Sequence, residues 1–122
     1  MIVHIVKRSD WVLAVALGSY APAGLRAEGF IHCSTVAQVI DTANRFYRGE
    51  GGLVVLCIDE SRLKAELRFE APAGVHREVS GELFPHLYGE LNVEAVVRVV
   101  ELPCEADGSF RLPDGLWDSK IP

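Results

Sequence analysis

A short apolar segment that runs directly into a patterned helix is the feature that most limits what this chain can fold into. We predict a strand over Phe30–Cys33. Thr35 and Gln38 then form a T-x-x-Q capping box, which is the pattern of a helix N-terminus. Residues 32–35 form a polar tip at the junction between this strand and the helix. At such a junction free backbone N–H groups point outward and tend to hold ligands.

The helix predicted after this junction covers residues 36–48 and has two distinct faces. Its apolar residues follow the i, i+3, i+4, i+7 spacing of an amphipathic helix: Val36, Val39, Ile40, Ala43, Phe46 and Tyr47. Its polar residues fall on the opposite face: Gln38, Asp41, Arg45 and Arg48. Gly49 and the pair Gly51–Gly52 end the helix.

The other segments predict an α+β domain that spans residues 1–122. Further strands are predicted at Ile2–Val6, Leu53–Ile58, residues 67–70, Val93–Leu102 and, after an Asp107–Gly108 turn, Ser109–Leu112. For Val93–Leu102 the alternative is a helix capped by Asn92. A second helix, Trp11–Leu17, is predicted after an N-cap by Ser9 and an early acidic charge from Asp10, and its apolar character nearly all round predicts deep packing. Residues 19–28 and 71–82 are predicted as loops. The order β-α-β-α-β-β-β favours α+β over a doubly wound sheet.

Composition and charge exclude several classes of partner. The formal net charge is −5 and the pI is near 5.3, whereas a nucleic-acid backbone calls for a basic face.

The three cysteines are widely spaced and form no CxxC, which indicates a reducing cytoplasm. No apolar run approaches the ~20 residues of a membrane span. Ile2–Val6 has no basic stretch before it, so a signal peptide is not expected.

The four histidines do not follow metal-ligand spacing, because HxH, HxxxH and HExxH patterns are absent. We therefore expect no metal. His4 lies mid-strand and has two interpretations: a core imidazole with satisfied nitrogens, or a cleft residue that hydrogen-bonds a ligand. His32 shares a strand face with Ser34, which is itself a capping candidate without a G-x-S-x-G elbow. A thiol-dependent hydrolase centred on Cys33 is a further alternative.

A second unusual segment, Phe84–Glu90, combines aromatic, imidazole and carboxylate groups in what we interpret as a turn. His86 and Tyr88 each offer a hydrogen bond and an aromatic face to a ring-shaped ligand. Glu90 is the best carboxylate candidate, although a solvated turn residue is the alternative. Since GxGxxG and GxxxxGK are absent, any nucleotide binds without a Rossmann or P-loop cradle.

The strings GFIHCST…ANRFY (29–47) and FPHLYGELN (84–92), behind IVHIV, resemble a family of small uncharacterised bacterial domains. That family is thought to share the ADP-ribosyltransferase-like fold. The resemblance implies small mixed or antiparallel sheets around a cleft, two main helices, and NAD as co-substrate. It implies transfer of ADP-ribose to an unknown acceptor; the alternative is a non-catalytic module that binds a small ligand or a protein.

The resemblance also implies roles for individual residues. His4 would hold the ADP-ribose side of NAD, His32 would stack on nicotinamide, and Glu90 would stabilise the oxocarbenium-like transition state. Ser34, His86 and Tyr88 would surround the cofactor as further binding residues. The chain departs from the superfamily pattern, because Ile5–Val6 replaces a small pair, His32 replaces a tyrosine, and Glu90 follows Gly89. The decisive expectation is that His4, His32 and Glu90 line one cavity.

Overall fold

The computed structural model describes residues 1–72 and 82–117. The strands within these ranges are β1 (Ile2–Lys7), β2 (Ser19–Tyr20), β3 (Ile31–His32), β4 (Leu53–Ile58), β5 (Glu66–Glu70), β6 (Phe84–Tyr88), β7 (Leu91–Asn92) and β8 (Val96–Leu102). The helices are α1 (Arg8–Leu17), α2 (Ala23–Glu28), α3 (Val36–Phe46) and α4 (Asp114–Trp117). Short 3-10 turns cover Glu60–Arg62 and Val93–Ala95. No helix in the described ranges has the length and hydropathy needed to cross a bilayer.

The described strands form three small antiparallel sheets, in the orders β1-β4-β8, β2-β7 and β3-β6-β5. This arrangement confirms the α+β prediction with small antiparallel sheets. The two longest helices are α1, with 10 residues, and α3, with 11. All six residues of β4 are buried, as its continuous apolar run predicts for a central strand.

Strand β4 lies between two apolar clusters because its alternate residues face opposite sides of the sheet. Leu56 belongs to a cluster that includes Ile31 and Leu87 of the β3-β6-β5 sheet. Val55 belongs to a cluster that includes Val39 of α3. The first sheet is therefore packed between the third sheet on one side and α3 on the other.

A backbone bridge joins these two sheets beside the start of α3. Val3 N donates to Ser34 O across 2.8 Å, and Ser34 N donates to Val3 O across 2.9 Å. Cys33 N donates to Pro85 O across 3.0 Å, which continues the contact between the chain before α3 and β6. The predicted strand-to-helix junction therefore lies directly against β1.

The helix after this junction confirms the capping-box prediction. Both halves of the box are present, and Thr35 N donates to Gln38 Oε1 across 3.0 Å. The helix ends at Phe46, two residues before the predicted Arg48. Two orphan N-terminal donors are thus satisfied by side chains, which is why a helix begins at this point in the sequence.

The prediction for the first helix is wrong in two respects. Helix α1 begins at Arg8, directly after β1, so Ser9 lies in its first turn rather than at its cap, whereas Asp10 is the acidic residue of the first turn, as predicted. It is not deeply packed, because Leu13 is 63% exposed and Leu17 is 80% exposed, while Ala14 is buried. One narrow side of α1 contacts the core, and uniform apolar composition does not show how much of a helix is covered.

Four other segments differ from the sequence predictions. Phe84–Tyr88 is the central strand β6 rather than a turn. Residues 19–28 hold β2 and α2 rather than a loop. The first three residues of Val93–Leu102 form a 3-10 turn, and the strand begins at Val96. The predicted turn at Asp107–Gly108 is present, since Gly108 N donates to Glu105 O. Ser109–Leu112, however, is not a strand. Most of the loop predicted at 71–82 lies outside the described residues.

Candidate functional site

A cleft of about 180 Å³ opens between α3, β1, β3 and the beginning of β6. Its polar and charged lining comprises His4, His32, Ser34, Gln38, Asp41, Thr42, Arg45, Glu82 and His86. Its other lining residues are Ile5, Cys33, Ala37, Phe46, Tyr47, Pro72 and Phe84. A concave site that combines aromatic and apolar side chains with convergent polar groups is typical of small-molecule binding, and this cleft has a large polar share.

The cleft brings together four of the six residues predicted for the site: His4, His32, Ser34 and His86. Tyr88 and Glu90 are not among the described residues that line it. Glu90 is exposed and lies between β6 and β7. Of the three residues expected to line one cavity, His4 and His32 do so, and Glu90 is not among the described lining residues.

Both ring nitrogens of His4 have hydrogen-bond partners. Nδ1 lies 2.6 Å from His32 O, and because a carbonyl only accepts, Nδ1 carries the hydrogen. Nε2 lies 3.1 Å from Tyr20 Oη and accepts from that hydroxyl. Burial lowers the pKa of His4 to about 4, so the ring is neutral at neutral pH. His4 combines the two interpretations, since its nitrogens are satisfied and its ring lines the cleft.

His32 is held at the cleft edge by an acidic residue of the preceding helix. Its Nε2 lies 2.7 Å from Glu28 Oε1, and its side chain is 32% exposed. Its ring packs edge-on against Phe30, with 4.8 Å between the ring centroids. Glu28 is the last residue of α2, so the short helix that the sequence reading missed orients a predicted site residue.

His86 is buried beside His32 on the sheet side of the cleft and is bound to Glu70. Its Nδ1 lies 2.9 Å from Glu70 Oε1, and its side chain is 2% exposed. Tyr88 Oη donates to the same carboxylate oxygen across 2.5 Å. These hydrogen bonds, first that from Tyr88 and then that from His86, lower the pKa of Glu70. Glu70 is therefore an ionised acceptor shared by both rings.

Four rings lie side by side on one face of the β3-β6-β5 sheet, and we call them the ring row: Phe30, His32, His86 and Tyr88. Phe30 stacks on His86 with 4.1 Å between centroids and an angle of 22° between the planes. The His32 and His86 centroids are 5.4 Å apart, and Arg68 lies 4.3 Å from the Tyr88 centroid. The row fixes the orientation of the two imidazoles that line the cleft.

Gln38 connects α3 to the chain that enters β6. Besides capping the helix, its Nε2 donates to Leu83 O across 2.8 Å and to Glu82 Oε2 across 3.3 Å. Ser34, the residue before the helix cap, has its Oγ 3.5 Å from Oγ1 of Thr42 in the second turn of α3. The capping role of Gln38 can be predicted from the sequence. Its bonds to Glu82 and Leu83 cannot, because these residues lie more than 40 positions further along the chain.

Part of the polar face predicted for α3 lines the cleft. Asp41 and Arg45 are both lining residues. Their i, i+4 spacing was visible in the sequence, but it also fits a solvated face. Glu70 was likewise predicted only as the last residue of the strand over residues 67–70. Whether such a residue lines the cleft or faces solvent depends on which strands and helices pack against each other. That packing is a property of the tertiary structure and not of a local sequence pattern.

Two other chemistries receive little support from the geometry. Cys33 is buried, and burial raises its pKa to about 12, so it is a thiol rather than a thiolate. Among residues 1–72 and 82–117, no group of three or more His, Cys, Asp or Glu side chains is placed to hold a metal ion.

Comparisons with known proteins match most of the chain. The model of a family described as "Protein of unknown function (DUF952)" matches residues 5–99. The crystal structure of protein CC0527 from Caulobacter crescentus is 37% identical, covers 95% of this chain and 97% of its own, and has a TM-score of 0.83. The solution structure of CC0527 is 36% identical, covers 93% and 94%, and has a TM-score of 0.76. No curated protein matches this chain.

Proposed function

This chain belongs to the DUF952 family of proteins of unknown function, and we propose that its cleft binds the nicotinamide-bearing half of NAD or of a related nucleotide. The observation that carries the proposal is the set of rings around one small cleft. His32 and His86 lie on the sheet side, and His4, Phe46, Tyr47 and Phe84 are the other lining residues that carry rings. Aromatic and imidazole rings offer stacking surfaces to a flat heterocycle.

The size of the cleft favours half of a dinucleotide. At about 180 Å³ it is smaller than the roughly 300–1,000 Å³ of sites that enclose drug-sized ligands. A pyridine ring with part of its ribose suits this volume, and the rest of the dinucleotide would lie outside. Arg45, on the α3 side, is a cation suited to a phosphate.

An ADP-ribosyltransferase-like fold is part of this proposal. It is supported by the small antiparallel sheets around a cleft and by the position of His4 and His32 in its lining. The satisfied nitrogens of His4 support a role through ring contact rather than through a hydrogen bond to NAD. A reducing compartment, the cytoplasm, is proposed from the three free thiols.

The proposed reaction is cleavage of the nicotinamide–ribose bond and transfer of ADP-ribose to an acceptor. It requires a group that stabilises the positive charge that develops on the ribose, and the resemblance assigns that task to Glu90. Glu90 lies outside the described lining of the cleft, whereas Asp41 and Glu82 are carboxylates within it. This placement favours a second candidate function, binding of the same nucleotide without turnover.

Calorimetric titration of the full chain with NAD, ADP-ribose and nicotinamide tests the binding proposal. Binding of NAD with a Kd in the micromolar to low millimolar range is expected, at about the strength of a small and partly open site. A Phe46→Ala variant, which removes one lining ring, should bind more weakly. Absence of binding by all three ligands at millimolar concentration overturns the proposal.

Release of nicotinamide from NAD, followed by chromatography, separates the two candidates. If Glu90 is catalytic, Glu90→Gln should lower the rate by about 100-fold or more and leave NAD affinity intact. Asp41→Asn is the matched variant inside the cleft. Loss of turnover in Asp41→Asn alone would remove Glu90 from the reaction. Binding by the wild-type protein without any nicotinamide release would establish the non-catalytic alternative.

A further inference from the structure

We propose that Nε2 of His86 is the hydrogen-bond acceptor of the cleft, and that the ligand group placed against it is an N–H donor, the carboxamide of nicotinamide. This inference deepens the proposed function and rests on it. It assigns a specificity-determining role to His86 and a positioning role to Glu70, which does not line the cleft itself.

The contact with Glu70 determines which nitrogen of His86 carries the hydrogen. An ionised carboxylate only accepts, so His86 Nδ1, at 2.9 Å from Glu70 Oε1, is the donor. In its neutral form the imidazole then has its lone pair on Nε2. Tyr88 Oη donates to the same oxygen, which holds the Glu70 carboxylate in place from a second side.

The His86 ring is fixed before any ligand arrives. Its strand, β6, is paired on both sides, with His86 opposite His32 of β3 and Arg68 of β5. Phe30 stacks on the ring at a centroid distance of 4.1 Å, and the side chain is 2% exposed. A preorganised acceptor of this kind loses little entropy on binding and imposes a direction on its partner.

The other imidazoles of the cleft are engaged differently. Both nitrogens of His4 are already bonded, to His32 O and to Tyr20 Oη. The Nε2 atom of His32 is bonded to Glu28. In the described part of the chain no hydrogen bond is made to His86 Nε2, although the residue lines the cleft. His86 is therefore the imidazole best placed to recognise a ligand.

An acceptor at this position distinguishes nicotinamide from nicotinate, which have the same ring. The carboxamide of nicotinamide presents two N–H hydrogens, whereas the carboxylate of nicotinate presents oxygens only. The lone pair on Nε2 attracts the first group and repels the second. We therefore expect nicotinamide to bind about tenfold or more tightly than nicotinate, the effect of one well-placed hydrogen bond.

The test is an NMR titration of the full chain with each of these two compounds at about pH 8, with ¹⁵N-labelled histidine side chains. In the free protein, His86 should show a protonated Nδ1 and a lone-pair-type Nε2. Nicotinamide should shift the Nε2 resonance and leave Nδ1 nearly unchanged. A proton on Nε2 in the free protein, or equal or tighter binding of nicotinate, overturns the inference.

A His86→Phe variant is the control, because phenylalanine keeps a ring against Phe30 and lacks the acceptor. The preference for nicotinamide should disappear in this variant. If the preference persists, the lining carboxylates Asp41 and Glu82 cause it by repelling nicotinate, and the inference is wrong. The tautomer measurement uses the wild-type protein, so it decides even if the variant does not fold.

The failures of the two proposals can be distinguished. If NAD or ADP-ribose binds but nicotinamide does not, the inference about His86 is overturned and nucleotide binding stands. If NAD, ADP-ribose and nicotinamide all fail to bind, both are overturned. If nicotinamide binds and shifts His86 Nε2, the inference is supported whether or not turnover is detected.

Discussion

Tyr20 Oη donates a hydrogen bond to His4 Nε2 across 3.1 Å and so connects strand β2 to the edge of the cleft. The ring centroids are 5.4 Å apart. Because His4 Nδ1 is already bonded to His32 O, removal of the Tyr20 hydroxyl leaves a buried acceptor without a partner. We expect Tyr20→Phe to lower the free energy of unfolding by about 1–3 kcal/mol, as measured by urea denaturation.

Tyr47→Phe is the matched control for this change. Tyr47 is half-buried, and no hydrogen bond of its hydroxyl is found within the described ranges. Its loss should change the free energy of unfolding by at most about 0.5 kcal/mol. Equal effects of the two substitutions would show that the His4–Tyr20 contact contributes nothing specific.

The low pKa of His4 predicts that stability falls in mild acid. Burial sets the folded-state pKa at about 4, below the ordinary value of 6.5. Between these values the unfolded chain binds the proton and the folded chain does not, so stability rises with pH. The contribution of His4 is complete above about pH 6.5 and is lost as the pH falls toward 4, with a slope of at most about 1.4 kcal/mol per pH unit.

Urea denaturation curves at intervals between about pH 5 and pH 7 measure this slope, in a window above the carboxylate titrations. A His4→Gln variant has no imidazole at this position, so its stability should vary less over the same window. A wild-type slope that is unchanged in His4→Gln would assign the effect to another histidine.

Gly89 lies where the chain leaves β6, and a side chain there has no room. A Cβ at this position would lie 2.8 Å from Ala65 Cβ, and the backbone φ is +154°. We expect Gly89→Ala to lower the free energy of unfolding by about 1–3 kcal/mol, the usual effect of overpacking. Thermal denaturation followed by circular dichroism measures it.

Gly24→Ala is the opposite case, since Gly24 is in α2 and a Cβ would meet nothing within 4 Å. Alanine is the better helix former and should stabilise the protein by about 0.5–1 kcal/mol. A loss of stability in Gly24→Ala would contradict the assignment of this segment as a helix.

A pair of leucine substitutions compares a core position with an exposed position. Leu56, in β4, is 0% exposed, and Leu56→Ala should cost about 2–5 kcal/mol because it leaves a cavity in the core. Leu13, in α1, is 63% exposed, and Leu13→Ala should change the free energy of unfolding by about 0.5 kcal/mol or less. A large loss in Leu13→Ala would mean that α1 is covered in solution.

The three cysteines should differ in their reaction with an alkylating agent. Burial raises the pKa of Cys33 to about 12 from 9.0, which lowers its thiolate fraction about a thousandfold. Cys57 is also buried, whereas Cys104 is half-buried. Mass spectrometry of the folded protein should find rapid modification at Cys104 alone. In a Cys104→Ser variant no site should react quickly, and fast labelling of Cys33 would revive the thiol-dependent alternative.

Segments whose structure depends on near neighbours could be predicted from sequence. The capping box of Thr35 and Gln38 and the continuous run Leu53–Ile58 are signals within a few residues, and both elements are present. Phe84–Tyr88 was misread because Pro85 and Gly89 are typical turn residues. Proline is tolerated near the start of β6, where its carbonyl still accepts from Cys33 N.

The candidate site depends on contacts that no local pattern contains. Glu70 reaches His86, 16 positions later in the sequence, because β5 and β6 pair in one register, and no local pattern reveals that pairing. Asp41 and Arg45 could be placed on one helix face but not assigned to a cleft rather than to solvent. The exposure of α1 was missed for a related reason, since an all-apolar helix has no pattern that identifies its covered side.

The reciprocal bond between Val3 and Ser34 uses only main-chain atoms, although it lies next to the residues that line the cleft. Exchange of a lining side chain therefore leaves this joint between the sheets intact. Relatives with other residues at positions 32 or 86 can keep the same framework while they accept different molecules. In this architecture, cohesion and chemical selectivity can diverge independently during evolution.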